Sequence, residues 1–187
     1  MTAQHDAQLN ASPWVRRFAS HIPKEGLVLD LACGAGRHAT FLADMGYSVF
    51  AVDQDIALIK QKKHPLITSK AFNLEVEEWP LEGLEFSGIV VTNYLYRPHW
   101  DRLPSMLANG GVLIYETFAL GNAQFGKPSN PNFLLKTGEL LALAARHSLK
   151  VIAYEDIYID EPKPAMVQRL CALKEGCKGH IPLQFQA

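Results

Sequence analysis

The segment from Val28 to Asp55, VLDLACGAGRHATFLADMGYSVFAVDQD, constrains this chain more than any other. An apolar run ends on Asp30, a glycine turn follows, a helical stretch comes next, and a second apolar run closes on Asp53. That order reads as strand, nucleotide-binding turn, helix and strand, within the roughly 30 residues of one βαβ unit. Gly34, Gly36 and Ala39 fit G-x-G-x-x-[GA], a pattern that more than one nucleotide class satisfies. A tight turn with no ligand could use the same glycines, but it has no need of acids at both strand ends.

The acids narrow the choice of ligand. A dinucleotide sets its pyrophosphate against the N–H groups at the helix N-terminus. Asp30 stands on the strand just before that turn, where its carboxylate would repel a phosphate. A ligand with no phosphate and a cationic ammonium there gains instead, and S-adenosylmethionine is such a ligand. Asp53 can accept hydrogen bonds from a ribose diol in either case, so it does not discriminate.

These residues carry a family resemblance. VLDLACGAGRHA followed by VFAVDQD resembles the first two motifs of class I S-adenosylmethionine-dependent methyltransferases, most of all the small single-domain type similar to tellurite-resistance and ubiquinone-type methyltransferases. The likeness continues through IVVTNYLYRP, NGGVLIYETF and GKPSNPNFLLKTGELL. It implies a Rossmann-like, seven-stranded, mostly parallel sheet with helices on both faces and the last strand antiparallel. It further implies that Asp30 and the loop Ala32, Cys33, Gly34 to Gly36 hold the methionine end of the cofactor, and that Asp53 holds the ribose. Asn73 and Leu74 then lie along the adenine, Asn73 standing where many relatives carry an acid.

Composition sets the outer limits. At 187 residues and 48% hydrophobic content the chain can bury one full core, so a single domain over 1–187 is expected, with no separate substrate domain. A formal charge of -1 with scattered lysines and arginines lacks the basic footprint of a nucleic-acid binder. Cys33, Cys171 and Cys177 show no paired metal spacing, so no metal is expected. The N-terminus MTAQHDAQLN has no charged-then-apolar leader and no run reaches the length of a membrane span, which together predict a cytoplasmic protein with no membrane partner, as a monomer or homodimer.

Along the chain, apolar runs alternate with amphipathic ones. A helix is expected at about 12–22, with Ser12 as N-cap and Pro13 in first position. Strand 27–31, helix 36–45, strand 48–52, helix 56–62 and a weaker strand 69–73 follow. An acidic loop 75–85 leads to strand 87–92, helix 99–108 and strand 112–117. After an irregular stretch, a helix over 137–147 takes Thr137 as its N-cap, and strands 149–157 and 166–174 close the count at seven. The last two have no helix between them, which allows an antiparallel hairpin at one edge.

On such sheets ligands bind outside the C-terminal strand ends, where strand order reverses. The residues expected there are Asp30 to Arg37, Asp53 and Gln54, Asn73 and Leu74, Asn93 to Arg97, and Glu116 to Phe118. Of these, Asp30, Ala32, Cys33, Gly34, Gly36, Arg37, Asp53, Gln54, Asn73, Leu74, Asn93 and Tyr94 form the expected cofactor set. Methyl transfer from a sulfonium has an excellent leaving group, so positioning and exclusion of water can supply most of the acceleration. If the acceptor must lose a proton, His38, His99, Tyr94 and Glu116 are the candidates by location. His38 could equally cap a loop or face solvent, Arg37 could equally tie the loop down, and Arg97 could equally form a structural ion pair. Of Tyr94 and Tyr96, the first is expected to face the cleft. Cys33 has no histidine motif beside it and reads as a small turn residue.

The segment Phe118 to Phe133, FALGNAQFGKPSNPNF, is long for a connection and carries three aromatics that a solvated loop has no reason to hold. It reads as the acceptor-pocket loop, with Arg97, Phe118, Phe125, Asn130 and Phe133 as substrate-binding candidates and Asn132 as a further hydrogen-bond donor. The plain alternative pins the loop to the core by its phenylalanines. The acceptor is expected to be a small molecule rather than RNA or protein. A nicotinamide-dependent Rossmann oxidoreductase is the rival reading, disfavoured by Asp30 and by the lack of a Tyr-x-x-x-Lys pair. A non-catalytic module that only binds S-adenosylmethionine is the third.

Overall fold

Apolar segments of five to twelve residues make the strands, which we label β1 (Leu27–Leu31), β2 (Ser48–Asp53), β3 (Ile67–Ala71), β4 (Phe86–Thr92), β5 (Leu107–Phe118), β6 (Lys150–Ile159) and β7 (Ala165–Leu173). They form one sheet in the order β3-β2-β1-β4-β5-β7-β6. The first five strands pair in parallel, and β7 runs antiparallel to both β5 and β6. This is the seven-stranded mixed sheet expected from the chain. The structure, a computed structural model, describes residues 10–176; Cys177 and the first nine residues lie outside them.

The helices are α1 (Pro13–Phe18), α2 (Arg37–Asp44), α3 (Ala57–Lys60), α4 (Arg102–Ser105) and α5 (Glu139–Arg146). Alternation along β1 explains the two layers they form. Leu29 and Leu31 pack on one face with Leu103 and α5, whereas Val28 packs on the other with Trp14, Val15 and Phe18 of α1 and Leu42 of α2. β4 is buried at all seven positions, as a parallel strand covered on both sides should be. No helix among the described residues is long and apolar enough to cross a membrane.

Ser12 caps α1 as expected, its Oγ accepting from the Val15 N–H at 3.1 Å, and the helix ends in a 3-10 turn at Ala19–His21. Other boundaries differ from expectation for visible reasons. In place of the expected helix 99–108 stand a 3-10 turn at Arg97–His99 and the four-residue α4; Pro104, without an N–H, fits only the first turn of a helix and so keeps α4 from starting earlier. β5 starts at Leu107, earlier than 112, and the Asn109 to Gly111 stretch is an irregularity inside the strand. Leu107 pairs with Phe86 before the register shifts, and a Cβ on Gly111 would sit 2.9 Å from the Ala108 carbonyl oxygen. β3 covers 67–71, earlier than 69–73, which leaves Asn73 past the strand end.

Thr137 is not the cap of α5. Gly138 takes that position in the left-handed region, φ 71°, with no side-chain cap. The first amides are met from elsewhere: Asp156 Oδ2 accepts from the Gly138 N–H at 3.4 Å, the Lys136 carbonyl from the Glu139 N–H at 3.0 Å, and Gln168 Oε1 from the Leu140 N–H at 3.3 Å.

Candidate functional site

Strand order reverses between β1 and β4, and the glycine turn lies at that point. Ala32, Gly34 and Gly36 all have positive φ, at 54°, 52° and 73°. The turn is tied to β2 by the Cys33 N–H, which donates to the Val52 carbonyl at 3.0 Å. Its two glycines serve different purposes. A Cβ on Gly36 would collide with Ile59 at 2.5 Å, so this glycine lets α3 pack against the turn. Among the described residues nothing lies within 4 Å of such a Cβ on Gly34, so this part of the turn borders open space.

Asp30 alternates with Leu29 and Leu31 and therefore faces α2. Its Oδ2 accepts from the Ala39 N–H at 2.8 Å, while Oδ1 has no partner among the described residues in a side chain only 1% exposed. Burial pushes its carboxyl up to about 7, a rise that the Ala39 N–H and Arg37 only partly offset. Asp53 spans the mouth of the turn: Oδ2 accepts from the Gly34 N–H at 2.7 Å and Oδ1 from the Asp55 N–H at 3.1 Å. Gln54 is exposed beyond it. Asn73 is exposed and folds back, its Oδ1 accepting from the Glu75 N–H, while Leu74 is buried in the core. Asn93, at φ 55°, donates its N–H to the Glu116 carbonyl. The Cys33 thiol is buried and held above its ordinary range by that burial and by Asp30 and Asp53, so it carries no thiolate.

Three candidate bases are placed where they cannot act freely. His38 is buried, its Nε2 accepting from the Ser12 N–H at 3.2 Å and its Nδ1 paired with Thr92 Oγ1 at 3.2 Å. Burial, with Arg37 nearby, lowers it to about 3, so the ring is neutral and its lone pair is committed to the α1 cap. Glu116 is buried and ion-paired with Arg169, Nε to Oε2 at 2.5 Å. The Tyr94 hydroxyl is buried among aromatic rings instead of facing the open cleft, and burial raises its pKa.

The substrate-binding candidates separate into two kinds. Arg97 forms a structural clamp: Nε and Nη2 grip both Glu139 oxygens at 2.7 and 2.8 Å, and Nη1 and Nη2 donate to the Asn132 and Leu134 carbonyls. Four of its five N–H donors are used within the chain, which favours the structural ion pair over substrate contact. Arg37 likewise reaches back, Nη1 donating to the Asn10 carbonyl at 3.3 Å. Phe118 is half-buried, while Phe125 and Phe133 are 39% and 46% exposed, so the phenylalanines do not pin the loop.

The loop is held instead by residues that sequence reasoning missed. Asn122, 2% exposed, accepts from the Met166 N–H and donates to the Pro128 carbonyl, and an isolated bridge joins Ala119 to Leu135. Asn130 Oδ1 accepts from the Asn132 N–H in a local turn. Arg169 was also missed; it stands directly opposite Glu116 across the β5–β7 pair, which only the register discloses.

Comparison with known proteins agrees with this geometry. Residues 28–111, from β1 into β5, match a family described as a methyltransferase domain. Protein-L-isoaspartate O-methyltransferase of Chlorobaculum tepidum is 35% identical over 108 residues, 53% of this chain and 48% of that protein. The chain thus spans about half the length of the curated relative it matches. Among solved structures, TehB from Haemophilus influenzae superposes with a TM-score of 0.68 at 19% identity, over 84% of this chain and 60% of that one. The 1,6-didemethyltoxoflavin-N1-methyltransferase of Burkholderia thailandensis, with bound 1,6-didemethyltoxoflavin and S-adenosylhomocysteine, gives 0.66 at 17% identity, over 94% and 79%. At these identities the structural likenesses establish the fold.

Proposed function

We propose that this chain is a class I S-adenosylmethionine-dependent methyltransferase that transfers the donor's methyl group to a small-molecule acceptor as one cytoplasmic domain. The observation that carries the reading is the unpartnered Oδ1 of Asp30 beside the glycine turn. A buried carboxylate oxygen without a donor fits a cationic ammonium and rejects a phosphate. The open space at Gly34 is where a ligand can approach the backbone, and the Asp53 carboxylate across it suits a ribose diol. When bound, S-adenosylmethionine supplies a methyl group on a positively charged sulfur.

The chain's part in the reaction is positional. Asp30 and the turn hold the amino-acid end, Asp53 holds the sugar, and Leu74 and the Asn93 turn border the base and the reacting end. His38, Glu116 and Cys33 are committed elsewhere, so catalysis rests on orientation and exclusion of water. The loop 118–133 presents Phe125 and Phe133 outward as the wall against which the acceptor rests.

Calorimetry tests the donor assignment. Wild type is expected to bind S-adenosylhomocysteine and neither NAD nor NADP, and Asp53→Ala is expected to weaken that binding about tenfold or more, as loss of a charged hydrogen-bond acceptor should. Nicotinamide cofactor binding without S-adenosylhomocysteine binding would overturn it. Product formation distinguishes an enzyme from a module that only binds the donor. The acceptor class is read by incubating the enzyme with labelled donor and cell extract, then splitting the extract by size. Label confined to macromolecules would favour a protein acceptor, the kind for which the Chlorobaculum tepidum relative is named.

A further inference from the structure

We infer that Arg37 reads the carboxylate at the amino-acid end of the methyl donor, so that this site selects a zwitterion and discriminates against a donor that has lost its carboxylate. On the methyltransferase reading above, on which this role rests, Asp30 Oδ1 receives the donor's ammonium. That ammonium and the carboxylate hang from the same carbon atom, so an anion has to sit next to Asp30. Asp53, across the turn, makes the surroundings more acidic still. Without a cation the donor's carboxylate would be desolvated against two acids.

The turn's own amides do little for it. The Cys33 N–H donates to the Val52 carbonyl, the Gly34 N–H to Asp53, the Gly36 N–H to the Cys33 carbonyl and the Ala39 N–H to Asp30. A phosphate-binding turn keeps such groups for its ligand, whereas here they serve the fold. A cationic side chain is then the strong partner for a carboxylate. Arg37 stands at the first position of α2, directly after Gly36. Its charge acts on Asp30 more strongly than that of Lys62, which is exposed. Partial burial pulls the Arg37 pKa down, and the charges of Glu116 and Asp30 oppose that pull.

Hydrogen-bond capacity separates Arg37 from the other arginines near these strand ends. Arg97 uses four of its five N–H donors within the chain, and Arg169 donates to both Glu116 and Glu155. Arg37, half-buried, donates from Nη1 to the Asn10 carbonyl at 3.3 Å, and its Nε and Nη2 groups have no partner among the described residues. Such an open, planar set of donors matches the two oxygens of a carboxylate. The preference that follows has a definite sign. Asp30 and Asp53 alone would favour the more cationic, decarboxylated donor, and Arg37 turns that order round.

Calorimetry with S-adenosylhomocysteine and its decarboxylated analogue reads this sign, because the two compounds differ in the carboxylate alone. Wild type is expected to bind S-adenosylhomocysteine about tenfold or more tightly than the analogue, as a charge-assisted hydrogen bond should provide. Arg37→Met should abolish the preference by weakening S-adenosylhomocysteine about tenfold or more, with the analogue held within about twofold of wild type. Arg37→Lys keeps the charge and loses the fork, so it should retain part of the preference. Equal binding of the two compounds by wild type would overturn this role of Arg37 and leave the donor assignment standing, whether or not the variants fold. Equal weakening of both in Arg37→Met would also overturn it, since Arg37 would then act only as the tie on Asn10. An Arg37→Met variant that binds both as wild type does, with a raised KM for the acceptor, would overturn it by placing Arg37 against the acceptor. Binding of neither compound by wild type would overturn the donor assignment itself, and the role of Arg37 with it.

Discussion

Asp30 in β1 and Glu116 in β5 are both buried near the C-terminal ends of parallel strands, at 1% and 7% exposure, and the fold treats them in opposite ways. Glu116 meets Arg169 directly across the β5–β7 pair, and the same guanidinium also reaches Glu155 at 3.1 Å. Asp30 receives one backbone N–H and nothing for its second oxygen. A buried charge neutralised from within belongs to the architecture, while one left short of a partner reserves a place for a cation from outside. The contrast extends to the surrounding regions: the β5–β7 end is tied down by side chains, and the glycine turn is shaped by backbone and left open.

Breaking the closed pair should have the largest effect. Arg169→Met leaves Glu116 without its cation in a buried site, and a loss of about 3–5 kcal/mol is expected in urea denaturation at pH 7. Adding Glu116→Gln should recover most of it, because the remaining polar group is neutral. A loss under about 1 kcal/mol in the single variant would mean that Glu116 finds water or another partner, and the contrast with Asp30 would fail.

The open carboxylate should show itself through pH. Its folded pKa of about 7 lies above the ordinary value of 3.8, so between those limits the folded state binds more protons than the unfolded one. Stability should therefore fall as pH rises from about 4 to about 7 and level off above, by up to about 4 kcal/mol for a shift of this size. Asp30→Asn should remove this slope. Donor affinity runs the other way: it should rise through the same window as the carboxylate ionises to meet an ammonium, and Asp30→Asn should lower it about tenfold or more. A wild-type stability profile without that slope would show that Asp30 is already satisfied.

How much of this contrast could be read in the sequence follows from distance along the chain. The open side was legible, because Asp30, Gly34, Gly36 and Asp53 lie within one βαβ unit whose turn chemistry is local. The closed side was not, because Arg169 meets Glu116 across 53 residues and only a strand register joins them. The same holds for His38, which is claimed by Ser12 and Thr92 from 26 and 54 residues away, and for Arg97, whose partner Glu139 is 42 residues on. The misplaced helix at 99–108 had a local cause that could have been weighed: Pro104 in its middle.

Arg97 offers a closed pair of lower burial, which sharpens the comparison. For Glu139, burial acts to raise the pKa, but the Arg97 hydrogen bonds and the Lys136 N–H outweigh it, and the carboxyl is held below its ordinary range. Its contribution is present above the unfolded pKa and is lost as pH falls through the lower, folded one. Arg97→Met should cost about 1–2 kcal/mol, less than Arg169→Met, since the pair is partly exposed. It should also free the loop at Asn132 and Leu134, raising hydrogen exchange there. Unchanged exchange would show that Asn122 and the Ala119 to Leu135 bridge hold the loop alone.

The smallest effect on stability, and the most informative about the open side, is expected from the outward phenylalanines. Among the described rings Phe125 meets Tyr158, at 5.2 Å between centres, and Phe133 is nearly half exposed. Replacing each with serine should change the unfolding free energy by no more than about 0.5 kcal/mol, as for surface positions free of buried partners. If these rings form the acceptor wall, KM for the acceptor should rise severalfold in Phe125→Ser and Phe133→Ser while S-adenosylhomocysteine binding stays as in wild type. Such a split would place the outward rings with Asp30, as groups whose partner comes from outside the chain. A loss of stability above about 2 kcal/mol with an unchanged KM would place them with Glu116 instead, as part of the architecture.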